Sequence, residues 1–405
     1  MRELESMRRE VMERLDMSRD ISDETLYDQI DEVLMKNSRE EYFALSERLY
    51  CRKALYDSFR RLDVLSEALD LDGVTEVMVN GPGQIFVERG GHVESFGKGF
   101  SSAEKLEDVV QQIVARVNRR VNEASPMVDA RLEDGSRVNI VLPPVALDGP
   151  VITIRRFHEK PPDMEKLINW GAISREAADF MKQLIRAKYN IFISGGTGSG
   201  KTTFLGALAG YIDPEERVIT IEDSAELRLV HVRNLVRLET RSANQEGRYE
   251  ITIRDLIRNS LRMRPDRIIV GEIRGKEALD MLQAMATGHS GLSTGHANSA
   301  EDMVRRIEAM SMMGSDAALP LSAIRSQIVS AIDIIVHLGR LRDRQRKVLS
   351  ISEITGIQNG DIRLNRLYQF RERGETDGRI QGELESCGTL INTGKLCEAG
   401  LISNS

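Results

Sequence analysis

The chain of 405 residues has little of what marks extracellular or membrane-spanning proteins. It contains only three cysteines, Cys51, Cys387 and Cys397, which form neither an even disulfide framework nor a zinc-site spacing, and which fit a reducing cytosol. No apolar run reaches the roughly 20 residues that a membrane-spanning helix needs, because a charge interrupts each one. The opening residues, MRELESMRREVMERLD, lack an apolar core, so we expect no secretory signal peptide.

The charge balance excludes a further class of protein. The chain has 56 Lys and Arg residues against 63 Asp and Glu residues, which gives a net charge of −7. Bulk attraction to nucleic acid or to an anionic membrane is therefore not the organising principle, although local basic faces remain open. Hydrophobic residues make up 41% of the chain, which is enough for real cores, and the length predicts two or three domains.

The hydrophobic pattern changes along the chain and predicts five segments. Leu26, Ile30, Val33 and Leu34 recur at helical spacing after Ser22, a candidate N-cap, so the chain is expected to open with helices. The predicted segments are a helical N-terminal extension (1–68), a small α+β domain (69–158), a linker (159–173), an α/β domain (174–345) and a C-terminal β-rich segment with a tail (346–405).

The two predicted domains differ in the pattern of their strands. In the small domain, strands near 76–80 and 84–91 precede a helix at 103–118, a hairpin at Asp134-Gly135 and a strand at 151–157. In the α/β domain, short and continuously apolar strands alternate with helices, which indicates a parallel sheet buried on both faces. The pattern after Leu338 favours a β-meander, and the residues beyond about 370 carry little pattern.

A glycine-rich segment at 195–202, GGTGSGKT, satisfies the pattern G-x-x-x-x-G-K-[ST]. Its glycines let backbone N–H groups turn toward phosphate oxygens, and the N-terminus of a following helix adds a favourable dipole. Lys201 is expected to reach the β- and γ-phosphates and Thr202 to bind Mg²⁺. A ligand-free glycine turn is the weaker alternative, because strand-like residues precede the segment and helix-like residues follow it. The candidate nucleotide-binding residues are Gly195, Gly196, Thr197, Gly198, Ser199, Gly200, Lys201, Thr202 and Thr203.

Two predicted strands end in carboxylates that suit a nucleotide site. VITIED places Glu222 and Asp223 after one apolar strand, and RIIVGE ends another strand at Glu272. Ligands bind at the carboxyl edge of parallel strands, so these acids should face the same crevice as the glycine-rich loop. There they could hold Mg²⁺ and orient water. A helix or turn cap remains the alternative for Asp223.

Two histidines, His289 and His296, lie near glycines around a short predicted strand. A metal pair is conceivable, but no third ligand is evident in the sequence. A polar contact from His296 to the γ-phosphate fits better.

Arginines recur at positions that allow two interpretations. Arg254, Arg258 and Arg262 are spaced by four residues and share one helical face. The simpler interpretation is a solvated or salt-bridged face, and the other is contact with phosphates of a neighbouring subunit, like an arginine finger. Arg241 and Arg248 flank the polar loop SANQEG and allow the same two interpretations.

These elements, in this order, resemble the secretion ATPase superfamily of type II and type IV secretion systems and type IV pili. The marks are the Walker A loop at 195–202, an acidic box at Thr220-Ile221-Glu222-Asp223, a Walker B ending at Gly271-Glu272, and a histidine box ending at Gly295-His296. The sequence between about residues 55 and 340 most resembles the CpaF family of Tad/Flp pilus assembly ATPases.

The resemblance implies a fold and roles for the site residues. The fold would be a RecA-like P-loop ATPase domain with a smaller N-terminal α+β domain. Glu222 would be the water-orienting base, and Glu272 would hold the Mg²⁺ shell. Arg241, Arg248 and Arg155 would sense the nucleotide across a domain or subunit boundary.

The resemblance also implies a function. The chain would be a cytoplasmic homo-hexameric ATPase, peripheral to the inner membrane, that uses ATP and Mg²⁺ to power pilus assembly or protein secretion through a polytopic inner-membrane platform protein, with no direct nucleic-acid contact. Two alternatives remain open: a RecA-like motor that acts on DNA, and a nucleotide-dependent scaffold. Retention of both Glu222 and Glu272 argues against the scaffold.

Overall fold

A computed structural model of the chain describes residues 2–15, 21–40, 44–116, 121–132, 134–156, 161–241, 243, 248–315 and 319–403. The chain divides into two compact units, Met1–Glu159 and Lys160–Ser405. Each unit encloses its own hydrophobic cores, so each is described by itself.

Helices open the first unit, as the sequence predicts. The predicted stripe of Leu26, Ile30, Val33 and Leu34 is buried in the core that the first three of these helices share. The Oγ atom of Ser22 accepts the backbone N–H of Thr25 at 3.2 Å, which confirms the predicted N-cap. The helices are α1 (Arg2–Arg14), α2 (Asp23–Glu40), α3 (Leu45–Arg60) and α4 (Val64–Asp70).

An antiparallel sheet and one helix complete the first unit. Its elements are β1 (Val74–Asn80), β2 (Ile85–Arg89), β3 (His92–Ser95), α5 (Ala103–Arg116), β4 (Met127–Arg131), β5 (Arg137–Val141) and β6 (Val151–Arg155). The strand order is β3-β2-β1-β6-β5-β4. The hairpin predicted at Asp134-Gly135 is confirmed, since Arg131 pairs with Arg137 across it. Strand β3 is missing from the sequence prediction because all four of its residues are exposed and show no apolar alternation.

The second unit alternates strands and helices around one large sheet. Its elements are α6 (Met164–Asn169), α7 (Arg175–Arg186), β7 (Ile191–Gly195), α8 (Lys201–Ala209), β8 (Arg217–Glu222), β9 (Asn234–Glu239), α9 (Ile253–Ser260), β10 (Arg267–Val270), α10 (Glu277–Ala286), β11 (Ser290–His296), α11 (Ala300–Gly314), α12 (Leu321–Ala331), β12 (Ile334–Arg340), β13 (Arg346–Gln358), β14 (Asp361–Thr376), β15 (Arg379–Ser386) and α13 (Gly394–Glu398).

The sheet order is β15-β14-β13-β12-β7-β11-β10-β8-β9. The six strands from β12 to β9 run parallel, and their central members are buried along nearly their whole length. Apolar cores cover both faces of this parallel part. The predicted α/β fold with a doubly covered parallel sheet is therefore confirmed, as is the antiparallel meander formed by β12 to β15.

Two segments are more ordered than their sequence pattern suggests. The segment predicted as a linker contains α6, which Asp163 caps by accepting the backbone N–H of Lys166 at 2.9 Å. The weakly patterned C-terminal residues include β15 and α13. There the Glu353 carboxylate accepts the backbone N–H groups of Ile391 and Asn392 at 3.0 and 2.7 Å, and the Tyr189 hydroxyl donates to the Asn392 carbonyl at 2.6 Å.

Candidate functional site

The glycine-rich segment forms the loop between β7 and α8. Gly198 and Gly200 have φ angles of 70° and 92°, in the left-handed region that favours glycine, and Gly200 is the N-cap of α8. Gly196, Thr197 and Gly198 are exposed, whereas Lys201 is buried. The loop therefore presents its backbone at the N-terminus of a helix, where an anion is stabilised.

Gly195 anchors the loop closely against β12. A Cβ atom at this position would lie 2.5 Å from both the Leu338 carbonyl oxygen and the Ser199 Oγ atom. A side chain would therefore displace the backbone of β12 or the loop. Next to Gly195, the Ser194 hydroxyl lies 2.9 Å from Nδ1 of His337, which ties the end of β7 to β12.

Lys201 lies at the centre of a polar group on the loop. Its Nζ donates to the carbonyl oxygens of Gly195 and Gly196 at 3.1 and 3.0 Å and lies 3.3 Å from Nδ1 of His296. Because an ammonium can only donate, Nδ1 of His296 accepts, which leaves the proton on Nε2. Burial lowers the pKa of Lys201 because it disfavours the charged form of the side chain. A phosphate bound beside this ammonium would offset that cost.

Glu272, which lies two residues after the end of β10, joins the same group. Its Oε1 lies 2.9 Å from Nε2 of His296, and its Oε2 accepts a hydrogen bond from Arg274 at 2.9 Å. Burial raises the pKa of Glu272, but the hydrogen bond from Arg274 and the nearby cations lower it further, so it is ionised. Burial lowers the pKa of His296 and favours its neutral form. The structure thus brings together three predicted site residues, Lys201, Glu272 and His296.

Glu222 ends β8, the strand beside β10, and is 3% exposed. Its Oε2 accepts the backbone N–H groups of Glu226 and Leu227 at 2.8 and 3.0 Å, which fixes the carboxylate. Within the described ranges, its Oε1 is buried without a hydrogen-bond partner. Burial raises the pKa of Glu222. A fixed carboxylate with one unsatisfied oxygen is suited to accept a proton from water.

Gly271 makes room for this carboxylate. A Cβ atom on Gly271 would lie 3.0 Å from Cγ of Glu222, so any side chain there would press on it. The Gly271 carbonyl in turn accepts a hydrogen bond from Thr294 at 2.7 Å. Sequence reasoning named Gly271 only as part of a motif and missed its role as a spacer. It also missed Arg274, whose nearness to Glu272 could be read from their spacing.

The remaining residues predicted as acids or metal ligands lie in different places. Asp223 is exposed, and its backbone carbonyl accepts the Thr240 hydroxyl at 3.2 Å. Thr202 and Thr203 lie half-buried in the first turn of α8. His289 precedes the first residue of β11 and His296 ends that strand. About seven residues of strand, roughly 23 Å, separate them, which excludes a shared metal ion.

Across the part of the chain that the structure describes, no group of three His, Cys, Asp or Glu side chains could hold a metal ion. Mg²⁺ held by a threonine hydroxyl, one carboxylate and substrate phosphates needs no such group. The oxygen donors of Thr202 and Glu272 suit that kind of site, so their assignment to Mg²⁺ stays a prediction.

The arginines of α9 pair within their own chain. Asp280, which is 5% exposed, accepts hydrogen bonds from Nε of Arg254 and of Arg258, both at 2.7 Å. Arg262 lies beyond the end of α9. The salt-bridged interpretation is therefore confirmed for Arg254 and Arg258.

The arginines predicted to sense nucleotide are all exposed. Arg241 pairs with Ile251 in a short antiparallel bridge and donates from Nε to the Tyr249 carbonyl at 2.7 Å. Most of the loop between Arg241 and Arg248 lies outside the described residues. Arg155 is the last residue of β6 in the first unit. Their sensing roles stay predictions.

Comparison with known families identifies the class of the protein. The chain belongs to the type II/IV secretion system protein family, whose model matches residues 62–377. This confirms the resemblance at the level of the superfamily, while the narrower likeness to the CpaF family stays a prediction. No helix among the described residues is long and apolar enough to cross a membrane.

Curated relatives match over most of their length. A Mycobacterium tuberculosis protein described as a "putative conjugal transfer protein" is 36% identical over 322 residues, 78% of this chain and 90% of its own. The conjugal transfer protein TrbB of Rhizobium radiobacter is 32% identical, over 76% of this chain and 93% of its own. The type IV secretion system protein PtlH of Bordetella pertussis is 34% identical, over 72% of this chain and 93% of its own.

Solved structures share the fold. The ATPase DotB of Legionella pneumophila is 20% identical with a TM-score of 0.52, and the match covers 73% of this chain and 80% of that chain. The pilus retraction motor PilT, solved with ADP, is 19% identical with a TM-score of 0.52, covering 84% and 87%. The predicted RecA-like ATPase fold is confirmed by this likeness.

Proposed function

We propose that this chain is an ATP hydrolase that powers a secretion or pilus assembly system. The observation that carries the proposal is the arrangement of Lys201, His296 and Glu272 around the glycine loop, with Glu222 on the adjoining strand. Family membership supports ATP use in general, and the polar group at the loop supports hydrolysis by this particular chain.

The residues divide the chemistry among themselves. The loop backbone and the N-terminus of α8 bind phosphate oxygens, and Lys201 transfers its donors from the Gly195 and Gly196 carbonyls to the β- and γ-phosphates. The free Oε1 of Glu222 orients the attacking water and accepts its proton. A bound Mg²⁺, held by Thr202 and Glu272, would neutralise charge on the phosphate oxygens.

His296 links the two halves of this site. It contacts Lys201 through Nδ1 and Glu272 through Nε2. When Lys201 binds the γ-phosphate, His296 can therefore pass the change on to Glu272, just after the end of β10. Arg274 holds the other oxygen of Glu272 and keeps its carboxylate ionised.

We further propose that the protein works as a homo-hexamer of the Tad/Flp, CpaF-like kind. It would act in the cytoplasm, peripherally at the inner membrane, on a polytopic platform protein, with no direct contact to nucleic acid. The type IV secretion relative and the continuous resemblance between about residues 55 and 340 support this assignment. A motor acting on DNA is the second candidate, because other relatives are named for conjugal transfer. ATPase assays with and without DNA separate the two.

The test of assembly uses complementation between two inactive variants. Arg241→Ala and Lys201→Ala protomers should each be inactive alone, and mixing them should restore part of the activity at interfaces that join an intact loop to an intact arginine. Arg233→Ala is the matched control, since Arg233 is an exposed arginine whose guanidinium pairs with Glu215. If both variants form hexamers and the mixture still does not hydrolyse ATP, Arg241 acts only within its own subunit.

A further inference from the structure

Two arginines near the glycine-rich segment at 195–202, called the phosphate loop below, lie directly opposite each other. Arg340 on β12 and Arg346 on β13 are cross-strand partners in an antiparallel pair, so their side chains share one face of the sheet. Like charges in this arrangement are destabilising. Both residues are exposed, and across the described ranges neither guanidinium has an ion pair or a hydrogen bond. The fold therefore keeps two adjacent positive charges without neutralising them.

These arginines lie on the face that carries α8. Val336 and Leu338 on β12 pack in the same core as Phe204 of α8. Side chains alternate along a strand, so Arg340 continues the row of Val336 and Leu338. Leu338 pairs with Gly195 in the parallel ladder, which places Arg340 about 7 Å past the level at which the phosphate loop begins.

Arg346 approaches the loop itself. A Cβ atom placed on Gly200 would lie 3.6 Å from Cδ of Arg346, so the aliphatic part of this side chain covers the last glycine of the loop. Gly200 is the N-cap of α8, where the backbone already favours an anion. A free guanidinium beside that point adds a second source of positive potential.

The strand order indicates which phosphate group these arginines face. Strand β12 lies on one side of β7, whereas the strands leading to His296, Glu272 and Glu222 lie on the other. Those three side chains suit the γ-phosphate and the attacking water. The β12 side of the loop is therefore left for the α-phosphate end of the nucleotide.

We propose that Arg340 and Arg346 form an anion clamp that binds the α-phosphate of ADP and ATP alike. The inference rests on the proposed function, because it requires a nucleotide in the loop. A guanidinium binds phosphate oxygens bidentately, and a phosphate between the two arginines removes their mutual repulsion. A charge-assisted contact of this kind changes affinity on the order of tenfold.

The experiment compares Arg340→Gln and Arg346→Gln with the control Arg342→Gln. Arg342 lies in the same hairpin, but its guanidinium is paired with Glu372 and Glu375. Affinities for ADP and ATP are measured by calorimetry in full-length protein, together with the melting temperature without ligand. Each clamp variant should weaken ADP and ATP equally, by about tenfold, while the control binds like the wild type.

The melting temperature distinguishes a binding role from a structural one. Removing one of two like charges should leave the ligand-free melting temperature unchanged or raise it, and should reduce the shift that ADP produces. Affinities within twofold of wild type, a lower ligand-free melting temperature that accounts for the lost binding, or a loss confined to ATP would each overturn the clamp. A wild-type protein that binds neither nucleotide would instead contradict the proposed function.

Discussion

Replacing Lys201 by methionine isolates the contribution of its charge to nucleotide binding. Lys201 as a whole is 7% exposed, and its ammonium donates to two carbonyl oxygens. Methionine keeps the apolar stem but removes that ammonium. Those carbonyls keep other donors, since Gly195 also accepts from the backbone of Ala297 and Gly196 from that of Ser199. Neither carbonyl is left without a hydrogen-bond donor, and a buried charge is removed. We therefore expect little change in the free energy of unfolding.

The expected effect on binding follows from one lost charge-assisted contact. Such a contact contributes about 1.5–3 kcal/mol, so the Kd for ATP should rise roughly 10- to 150-fold. Hydrolysis should fall to background even at saturating ATP, because the charge on the transferring phosphate has lost its cation. Calorimetry and a phosphate-release assay measure the two effects.

Lys105→Met is the matched control for Lys201→Met. Lys105 is also 7% exposed and donates to a backbone carbonyl, but it lies on α5 in the first unit. This variant should lose stability through its broken ion pair with Asp63 and keep its activity per folded molecule. If Lys201→Met hydrolyses ATP within a factor of about two of the wild type, the loop is not the catalytic phosphate site.

Three further outcomes are expected. Glu222→Gln should bind ATP without hydrolysing it. Because burial raises the pKa of Glu222 above its ordinary value of 4.5, this variant should also melt higher than the wild type at pH 8, by a margin that shrinks as the pH falls toward 4.5. Gly271→Ala should slow hydrolysis about tenfold through displacement of Glu222 while the Kd for ATP stays within twofold, and an unchanged rate would refute the spacer role. Asp280→Asn should lower the free energy of unfolding by about 1–3 kcal/mol in urea titrations, because Arg254 and Arg258 lose their shared carboxylate, and an unaltered midpoint would show that the pair contributes nothing.

The sequence predicted best those features whose cause is local. The glycine loop needs φ angles that glycine tolerates, and Gly198 and Gly200 have them. The parallel strands are short apolar runs because both faces are buried. The cap and the apolar stripe of α2 both lie between Ser22 and Leu34. In each case the residues that carry the pattern are consecutive or closely spaced in the chain, so a single sequence contains the signal.

The features that sequence reasoning missed depend on distant partners. Nothing near Arg254 indicates that Asp280 will pair with it, and nothing near Gly271 indicates that Glu222 lies against it. Among the C-terminal strands only β15 was missed, because it exposes most of its residues and takes its register from β14. Arg340 and Arg346 become neighbours only because a tight turn at Leu341 and Gln345 brings the two strands together.

The C-terminal residues after β15 have a practical consequence for preparing shorter versions of this protein. A truncation at residue 377, where the family model ends, would remove the backbone donors that satisfy Glu353, a carboxylate only 1% exposed. It would also remove the Asn392 carbonyl that accepts the Tyr189 hydroxyl. Without Leu396, the core that it shares with Tyr189 and Ile191 would be exposed. A boundary drawn from homology alone would thus cut through a packed core, and a fragment intended for crystallisation or nucleotide assays should extend at least to Leu401, whose backbone N–H closes the last turn.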